Sequence, residues 1–238
     1  MKTECIIVSF DYSDFLSITL PLNRFAFDRL VVYTKKTDLT TQRVCAENGV
    51  ECVATDAFTK DGAKFNRGAV YNEALRDLRF KEWVCLMDSD VIVTAGFSSQ
   101  FATIGPNPDN FYGARRYNVE TPEEWRAILA DPSLLQSTLL LRGFGYGYFQ
   151  LFHYDSCIFQ SVWNRQYPES FSCSESDWIF RNQWGEEIWD PPFNLAGHLE
   201  KNVQDRGTGL LRCLPFPVIH LGQTGINSTE RLTPSWAL

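Results

Sequence analysis

The chain contains no Cys-x-x-Cys pair, no apolar run long enough to cross a bilayer and no excess of basic residues. Each absence removes a class of function. Seven scattered cysteines, an odd number, fit neither a disulfide framework nor a zinc site, and suit a reduced compartment in which most act as small buried hydrophobes. The N-terminal apolar patch Cys5 to Phe10 is too short for the core of a signal peptide and stops at Asp11, so a cytoplasmic protein without a transmembrane segment is expected. With 22 Lys and Arg against 29 Asp and Glu, the net charge of −7 argues against gripping DNA through overall charge. The adjacent Arg115 and Arg116, after the strand-like Phe111-Tyr-Gly113, are more often an ordinary solvated edge than a phosphate grip. Linkers, low-complexity tracts and internal repeats are also lacking. A single domain over 1–238 follows, its core supplied by 44% hydrophobic residues, with 1–100 and 101–238 as its two halves.

The first half alternates strands and helices. Cys5 to Phe10, Leu30 to Thr34, Val50 to Val53 and Trp83 to Met87 are continuous apolar runs, as in parallel strands buried on both faces. Helices are expected from Ser13 to Leu20, ending before Pro21, from Thr40 to Glu47, closed by Asn48-Gly49, and from Asn66 to Leu78. The last carries Ala69, Val70, Ala74, Leu75 and Leu78 on one stripe, with Asn66 placed to cap it. This is an α/β fold with a mostly parallel, Rossmann-like sheet covered by helices on both faces, and such sheets bind ligands at the carboxyl ends of their strands. The later half predicts a helix from Pro122 to Leu129 capped by Thr121, then an irregular remainder rich in aromatics.

At one of those strand ends lies Leu86-Met-Asp88-Ser-Asp90-Val, an apolar run broken by two carboxylates one residue apart. Because side chains alternate along a strand, Asp88 and Asp90 point the same way and Ser89 the other, and like charges that close need a cation or donors. Hard oxygen ligands at a strand end suit Mg²⁺ or Mn²⁺ with positions left open for phosphates; a strand-end turn capped by two aspartates is the plainer alternative. Upstream, Phe65-Asn-Arg67-Gly places a guanidinium at a helix N-terminus, an arrangement suited to a diphosphate.

Phe65-Asn-Arg-Gly-Ala-Val-Tyr-Asn72, a helix, and then Trp83-Val-Cys-Leu-Met-Asp-Ser-Asp90-Val-Ile resemble the core of GT-A glycosyltransferases, in particular the β-1,4-galactosyltransferase and chondroitin-polymerase-like branch. The resemblance covers residues 4–93 well and the remainder in fragments. It implies a metal-dependent, inverting transferase that moves a hexosyl or pentosyl unit from a nucleoside-diphosphate sugar, a UDP-sugar being favoured, to an acceptor hydroxyl. In that reading Asp90 binds the metal, Asp88 the metal or the ribose, and Asn66, Arg67 and Ser89 the donor. Thr34 or Asp38, after the second strand, meets the base. Ser172-Cys-Ser-Glu175-Ser-Asp177-Trp-Ile-Phe-Arg181 looks like the segment that supplies the general base, Asp177 being preferred to Glu175. A helix N-terminus that simply favours acids is the plain alternative. The resemblance makes His220, in Val218-Ile-His-Leu, a third metal ligand, where a lone histidine on an apolar strand would otherwise be a core residue. Asn227 and Arg231 beyond it fit a lid.

Gly143-Phe-Gly-Tyr146-Gly147-Tyr148 mixes aromatics with glycines that let backbone approach a ligand, and Tyr146 and Tyr148 are candidates to stack on an acceptor sugar, with Phe149, Leu151 and Phe152 in the core; a core strand with a glycine-rich turn is the plainer alternative. Trp163, Trp184 and Trp189 could line the same cleft, although tryptophan is mostly buried in any protein. The acceptor class stays open among a glycan, a lipid-linked precursor, a protein, a small molecule and a hydroxymethylated DNA base, the last disfavoured by charge. Two other readings compete. Phosphatases of the haloacid dehalogenase type share hydrophobic-Asp-x-Asp but carry it on the first strand; a non-catalytic sugar-binding module needs no base.

Overall fold

A computed structural model of the protein describes residues 1–138, 140–141, 147–169, 177, 179–180, 183–184, 210–222 and 236. The strands are β1 (Thr3–Val8), β2 (Arg29–Lys35), β3 (Glu51–Thr55), β4 (Trp83–Met87), β5 (Val91–Ile92), β6 (Phe111–Gly113), β7 (Arg116–Val119), β8 (Leu140–Leu141), β9 (Phe149–His153), β10 (Leu211–Cys213) and β11 (Val218–Leu221). Between them lie helices α1 (Ser13–Asn23), α2 (Leu39–Glu47), α3 (Arg67–Arg76), α4 (Phe97–Thr103), α5 (Pro122–Ala130) and α6 (Cys157–Ser161).

A seven-stranded sheet runs in the order β10-β6-β9-β4-β1-β2-β3. Its pairings are parallel except where β9 joins β4 and β6. β1 and β4 are buried at every position, as continuous apolar runs require. Because side chains alternate along a strand, Cys5 and Ile7 enter one core with Leu16 and Leu20 of α1, Val44 of α2 and Phe97 of α4, whereas Ile6 and Val8 enter a second with Val70, Tyr71 and Leu75 of α3. Helices thus cover both faces, and each fully buried aliphatic side chain contributes about 1.5–3 kcal/mol. Among the described residues no helix is long and apolar enough to cross a membrane.

Two local expectations change. α1 continues through Pro21 to Asn23 instead of stopping before it. The carbonyl that Pro21 leaves without its helical donor belongs to exposed Ser17, where water can replace the bond, so the break is tolerated. The later half is also more regular than its composition suggests: β5, β11, β7 and β8 form a second sheet, in which β11 lies parallel to β7 and antiparallel to β5. Beneath it Phe15, Ile18, Ile92, Val119, Trp125, Ile128, Leu221 and Trp236 make a third core. α5 begins with the expected Thr121 cap, as a full capping box with Glu124.

Candidate active site

β4 ends at Met87, and Asp88 to Val91 is a turn in which the Val91 N–H meets the Asp88 carbonyl at 3.4 Å. Contrary to simple alternation, the two carboxylates therefore do not share a strand face; they meet different partners. Asp88 turns to α3, where Arg67 Nη1 donates to its Oδ1 at 2.8 Å. Asp90 turns to β11, where its Oδ2 lies 3.6 Å from His220 Nε2.

Arg67 is buried and also donates through Nη2 to Asp177 Oδ2, so one guanidinium serves two carboxylates. Its neighbour Asn66, proposed for the donor, accepts the Ala69 N–H at 2.9 Å and so caps α3. Asp177 is buried, and its other oxygen is held as well. Oδ1 accepts from the Tyr167 hydroxyl and from Gln150 Nε2 at 3.4 Å. Gly147 explains why this cluster closes: a Cβ there would overlap the Asp177 carboxylate and the Arg67 guanidinium, so the glycine admits the ion pair and not, as the sequence suggested, a ligand. Tyr167 is itself anchored by the Asn72 side chain, which accepts its N–H at 2.6 Å and donates to its carbonyl at 2.9 Å. That strap passes so near α3 that a Cβ on Gly68 would clash with the Pro168 carbonyl and lie 2.9 Å from Glu169 Cα.

The Asp90 side is built differently. His220 Nδ1 lies 3.0 Å from Asn118 Oδ1, and the Asn118 amide nitrogen faces Glu120 Oε1 at 3.4 Å. With Asn118 Oδ1 beside Nδ1, the tautomer protonated at that nitrogen would turn an Nε2 lone pair toward the carboxylate. Asp90 Oδ1 is buried without a hydrogen-bond partner among the described residues. A ring nitrogen near one oxygen of Asp90 and an orphaned second oxygen on the same carboxylate are what a cation would satisfy, and Asn118 holds the ring as metal-bound histidines are commonly held. Among the described residues no three His, Cys, Asp or Glu side chains converge on one point. The expected Asp88, Asp90 and His220 triad is thus present as a pair, which still suits an ion that takes its remaining ligands from phosphate and water.

Charge is short throughout the site. Burial, together with Asp90 and Asp177, pushes Asp88 up to about 7 against the pull of Arg67. Asp90 is pushed up to about 6, again chiefly by burial. Burial and the nearby Arg116 hold His220 down at about 3, neutral at physiological pH. Among the described residues the positive charges that bear on Asp88 and Asp90 are those of Arg67 and Arg116, and Arg67 is shared with Asp177, a deficit that a divalent ion would reverse.

Thr34 and Asp38 stand at the carboxyl end of β2, but Asp38 is engaged with its own loop. It accepts from the Asp11 N–H and the Thr41 N–H, each at 3.0 Å, and from the Thr34 and Thr41 hydroxyls at 3.3 and 2.7 Å. Ser89 is buried, its carbonyl taken by the Thr19 hydroxyl at 2.7 Å. Tyr148 is a buried residue and not an open acceptor platform: its hydroxyl donates to the Ala114 carbonyl and its ring packs against Arg116 and His220. Trp184 and Trp163 pack around Phe180 in the core. Tyr146, Glu175, Arg181, Trp189, Asn227 and Arg231 lie outside the described residues. Gln150, Tyr167 and Asn118 join the site without a local motif to announce them. Gln150 alone carried a signal, as the polar residue inside the apolar run Tyr148 to Phe152.

No protein-family model matches the chain, and no curated protein matches it by sequence. Among solved structures it is similar to a mannosyltransferase from Pyrobaculum calidifontis in complex with GDP-Man and Mn²⁺, at 13% identity over 74% of this chain and 50% of that one, with a TM-score of 0.44. It is also similar to mannosyl-3-phosphoglycerate synthase from Rubrobacter xylanophilus, at 17% identity over 65% and 54% with a TM-score of 0.42. Glucosyl-3-phosphoglycerate synthase from Mycobacterium tuberculosis, in complex with Mn²⁺, UDP and glucosyl-3-phosphoglycerate, is similar at 11% identity over 65% and 57%, with a TM-score of 0.42. The chain spans about half the length of these proteins.

Proposed function

We propose that the protein is a GT-A-type, metal-dependent glycosyltransferase that acts by inversion on a nucleoside-diphosphate sugar. The observation that carries this reading is the unsatisfied pair beside the strand end: the orphaned Asp90 Oδ1 and the Nε2 lone pair of His220, 3.6 Å from Asp90 Oδ2. Asp90 and His220 would hold Mn²⁺ or Mg²⁺, with Asp88 beside them. Bound there, the ion would offset charge on the departing diphosphate.

Asp177 is the base in this reading. The acceptor hydroxyl gives it a proton while its oxygen bonds to the anomeric carbon, and the bond from that carbon to the phosphate oxygen breaks with its electron pair on the diphosphate. Arg67 occupies Oδ2 of Asp177, and a donor phosphate is the anion able to draw it away. Donor binding would then uncover the base, and Tyr167 and Gln150 would keep it oriented. One observation favours a second assignment: both oxygens of Asp177 already accept hydrogen bonds, which suits a buried anchor for Arg67 and leaves the proton to Glu175. A phosphatase of the haloacid dehalogenase type is not favoured, since the aspartates follow β4, after three earlier strands, and Arg67 holds the would-be nucleophile. The acceptor, the choice of UDP over GDP and a cytoplasmic setting are expectations of the same reading.

The test is a panel of UDP- and GDP-sugars with Mn²⁺ or Mg²⁺, scored for nucleoside diphosphate release with and without glycan, lipid-linked, protein and hydroxymethylated-DNA acceptors. Release with at least one sugar, abolished by chelation, is expected. A panel without metal-dependent release or binding overturns the reading.

A further inference from the structure

Arg116 is not the solvated edge that its position beside Arg115 suggests. β7 lies between β11 and β8, and Arg116 is half-buried there. Its guanidinium carbon stands 4.3 Å from the centroid of the Tyr148 ring. The same ring meets the His220 imidazole nearly edge-on, with centroids 6.3 Å apart and planes at 76°. Tyr148 also fixes the first carboxylate, since its carbonyl accepts the Asp88 N–H at 3.0 Å. One buried aromatic therefore carries an arginine, touches a candidate metal ligand and anchors the turn that bears Asp88 and Asp90.

The strand register agrees. Asn118 pairs with His220 and Arg116 with Val218, and residues two apart on a strand share a face, so Arg116 follows Asn118 toward the site. Its charge bears on His220, Asp88 and Asp90 alike. Yet among the described residues no carboxylate comes within ion-pair distance of it, whereas Arg67 contacts two. An arginine meant only to neutralise the aspartates would touch them, as Arg67 does. Stacking on Tyr148 costs little hydration for a guanidinium and leaves its in-plane N–H donors free to meet an anion.

We propose that Arg116 binds the diphosphate of the donor and stays on it as it leaves. This rests on the glycosyl-transfer reading above and adds a residue to it. The anion would lie between Arg116 and the Asp90–His220 pair; as the bond from the anomeric carbon to the phosphate oxygen breaks, its electron pair remains on that oxygen, within reach of the Arg116 donors.

UDP and GDP serve as probes, titrated by calorimetry at saturating Mn²⁺ into the wild type, Arg116→Ala and Arg116→Lys, with Mn²⁺ alone titrated in parallel and melting curves confirming the fold. Loss of charge-assisted bonds should weaken the better nucleotide by about tenfold or more in Arg116→Ala, with part recovered in Arg116→Lys. Affinity for Mn²⁺ alone should stay the same or rise, because a positive charge near Asp90 has gone. These opposite signs separate a phosphate ligand from a counter-charge. Unchanged nucleotide affinity in Arg116→Ala overturns the role of Arg116 while leaving the transferase reading intact. A wild type that binds neither nucleotide with Mn²⁺ overturns both. Should Arg116→Ala fail to fold, Arg116→Gln carries the same comparison.

Discussion

Asp88 and Asp90 leave the same strand end and enter opposite surroundings. On the Asp88 side the carboxylates meet a cation directly: Arg67 bridges Asp88 and Asp177, and Tyr167 and Gln150 take the remaining oxygen of Asp177. On the Asp90 side contacts stop short among the described residues, with one carboxylate oxygen orphaned and a neutral histidine facing the other. Carboxylates held by a guanidinium fix geometry; a carboxylate oxygen without a donor stores affinity for one. The protein thus separates two tasks that a bare Asp-x-Asp would lay on one pair of side chains. Arg67 joins them, because an anion that attracts it away from the first cluster alters both.

The strongest way to break this comparison is through Asp177. Asp177→Asn keeps the size and one accepting oxygen but removes the proton acceptor, so with the fold confirmed by melting curves donor binding should survive while turnover falls by roughly 10²–10⁴-fold. Steady-state kinetics beside calorimetry of donor binding measure this. If Asp177→Asn turns over normally and Glu175→Gln does not, Asp177 is only the anchor for Arg67 and Glu175 is the base. If both remain active and the product keeps the donor's anomeric configuration, inversion itself is wrong.

Next in size is the contrast in stability. Arg67→Met leaves buried Asp177 and partly buried Asp88 without their cation and should cost about 3–5 kcal/mol in urea unfolding without metal. Asp90→Asn removes a carboxylate that lacks compensation and should cost nothing or stabilise the metal-free protein, while ending metal-dependent donor binding. Equal losses in the two variants would erase the distinction between the clusters.

How much of this could be read from the sequence follows the range of each interaction. The parallel core was legible because strand burial and helix stripes are local patterns, and the helix caps at Asn66 and Thr121 and the helix stop at Asn48-Gly49 fell where local chemistry puts them. Asp88 and Asp90 were legible as a site but not in their directions, since alternation holds only while the strand lasts and β4 ends at Met87. Gly147 was marked as a close approach, but the partner, an ion pair brought from positions 67 and 177, could not be seen from its neighbours. Tyr167, Gln150 and Asn118 act across sheet registers and a strap clamped by Asn72, which no short window contains. Arg116 was misjudged for the same reason: its environment is set by Tyr148 on β9's approach and by β11, not by Arg115.

The smallest effect, and the sharpest for the Asp90 side, is expected at His220. Its ring is oriented by Asn118 through Nδ1, so Nε2 is the atom offered to an ion, and His220→Ala should lower Mn²⁺ affinity by about tenfold, on the order of 1.4 kcal/mol. Asn118→Ala keeps the ligand and loses its orientation, and its loss should be of the same sign and no larger. The Asp88 cluster gives the control, since neither residue touches Arg67 or Asp177 and the Arg67-dependent stability should not change. Titration of Mn²⁺ against each variant, with urea unfolding in parallel, decides between two roles for the histidine. A variant that unfolds much more easily yet binds Mn²⁺ as the wild type does would make His220 a core residue. The orphaned Asp90 oxygen would then need another partner than a metal.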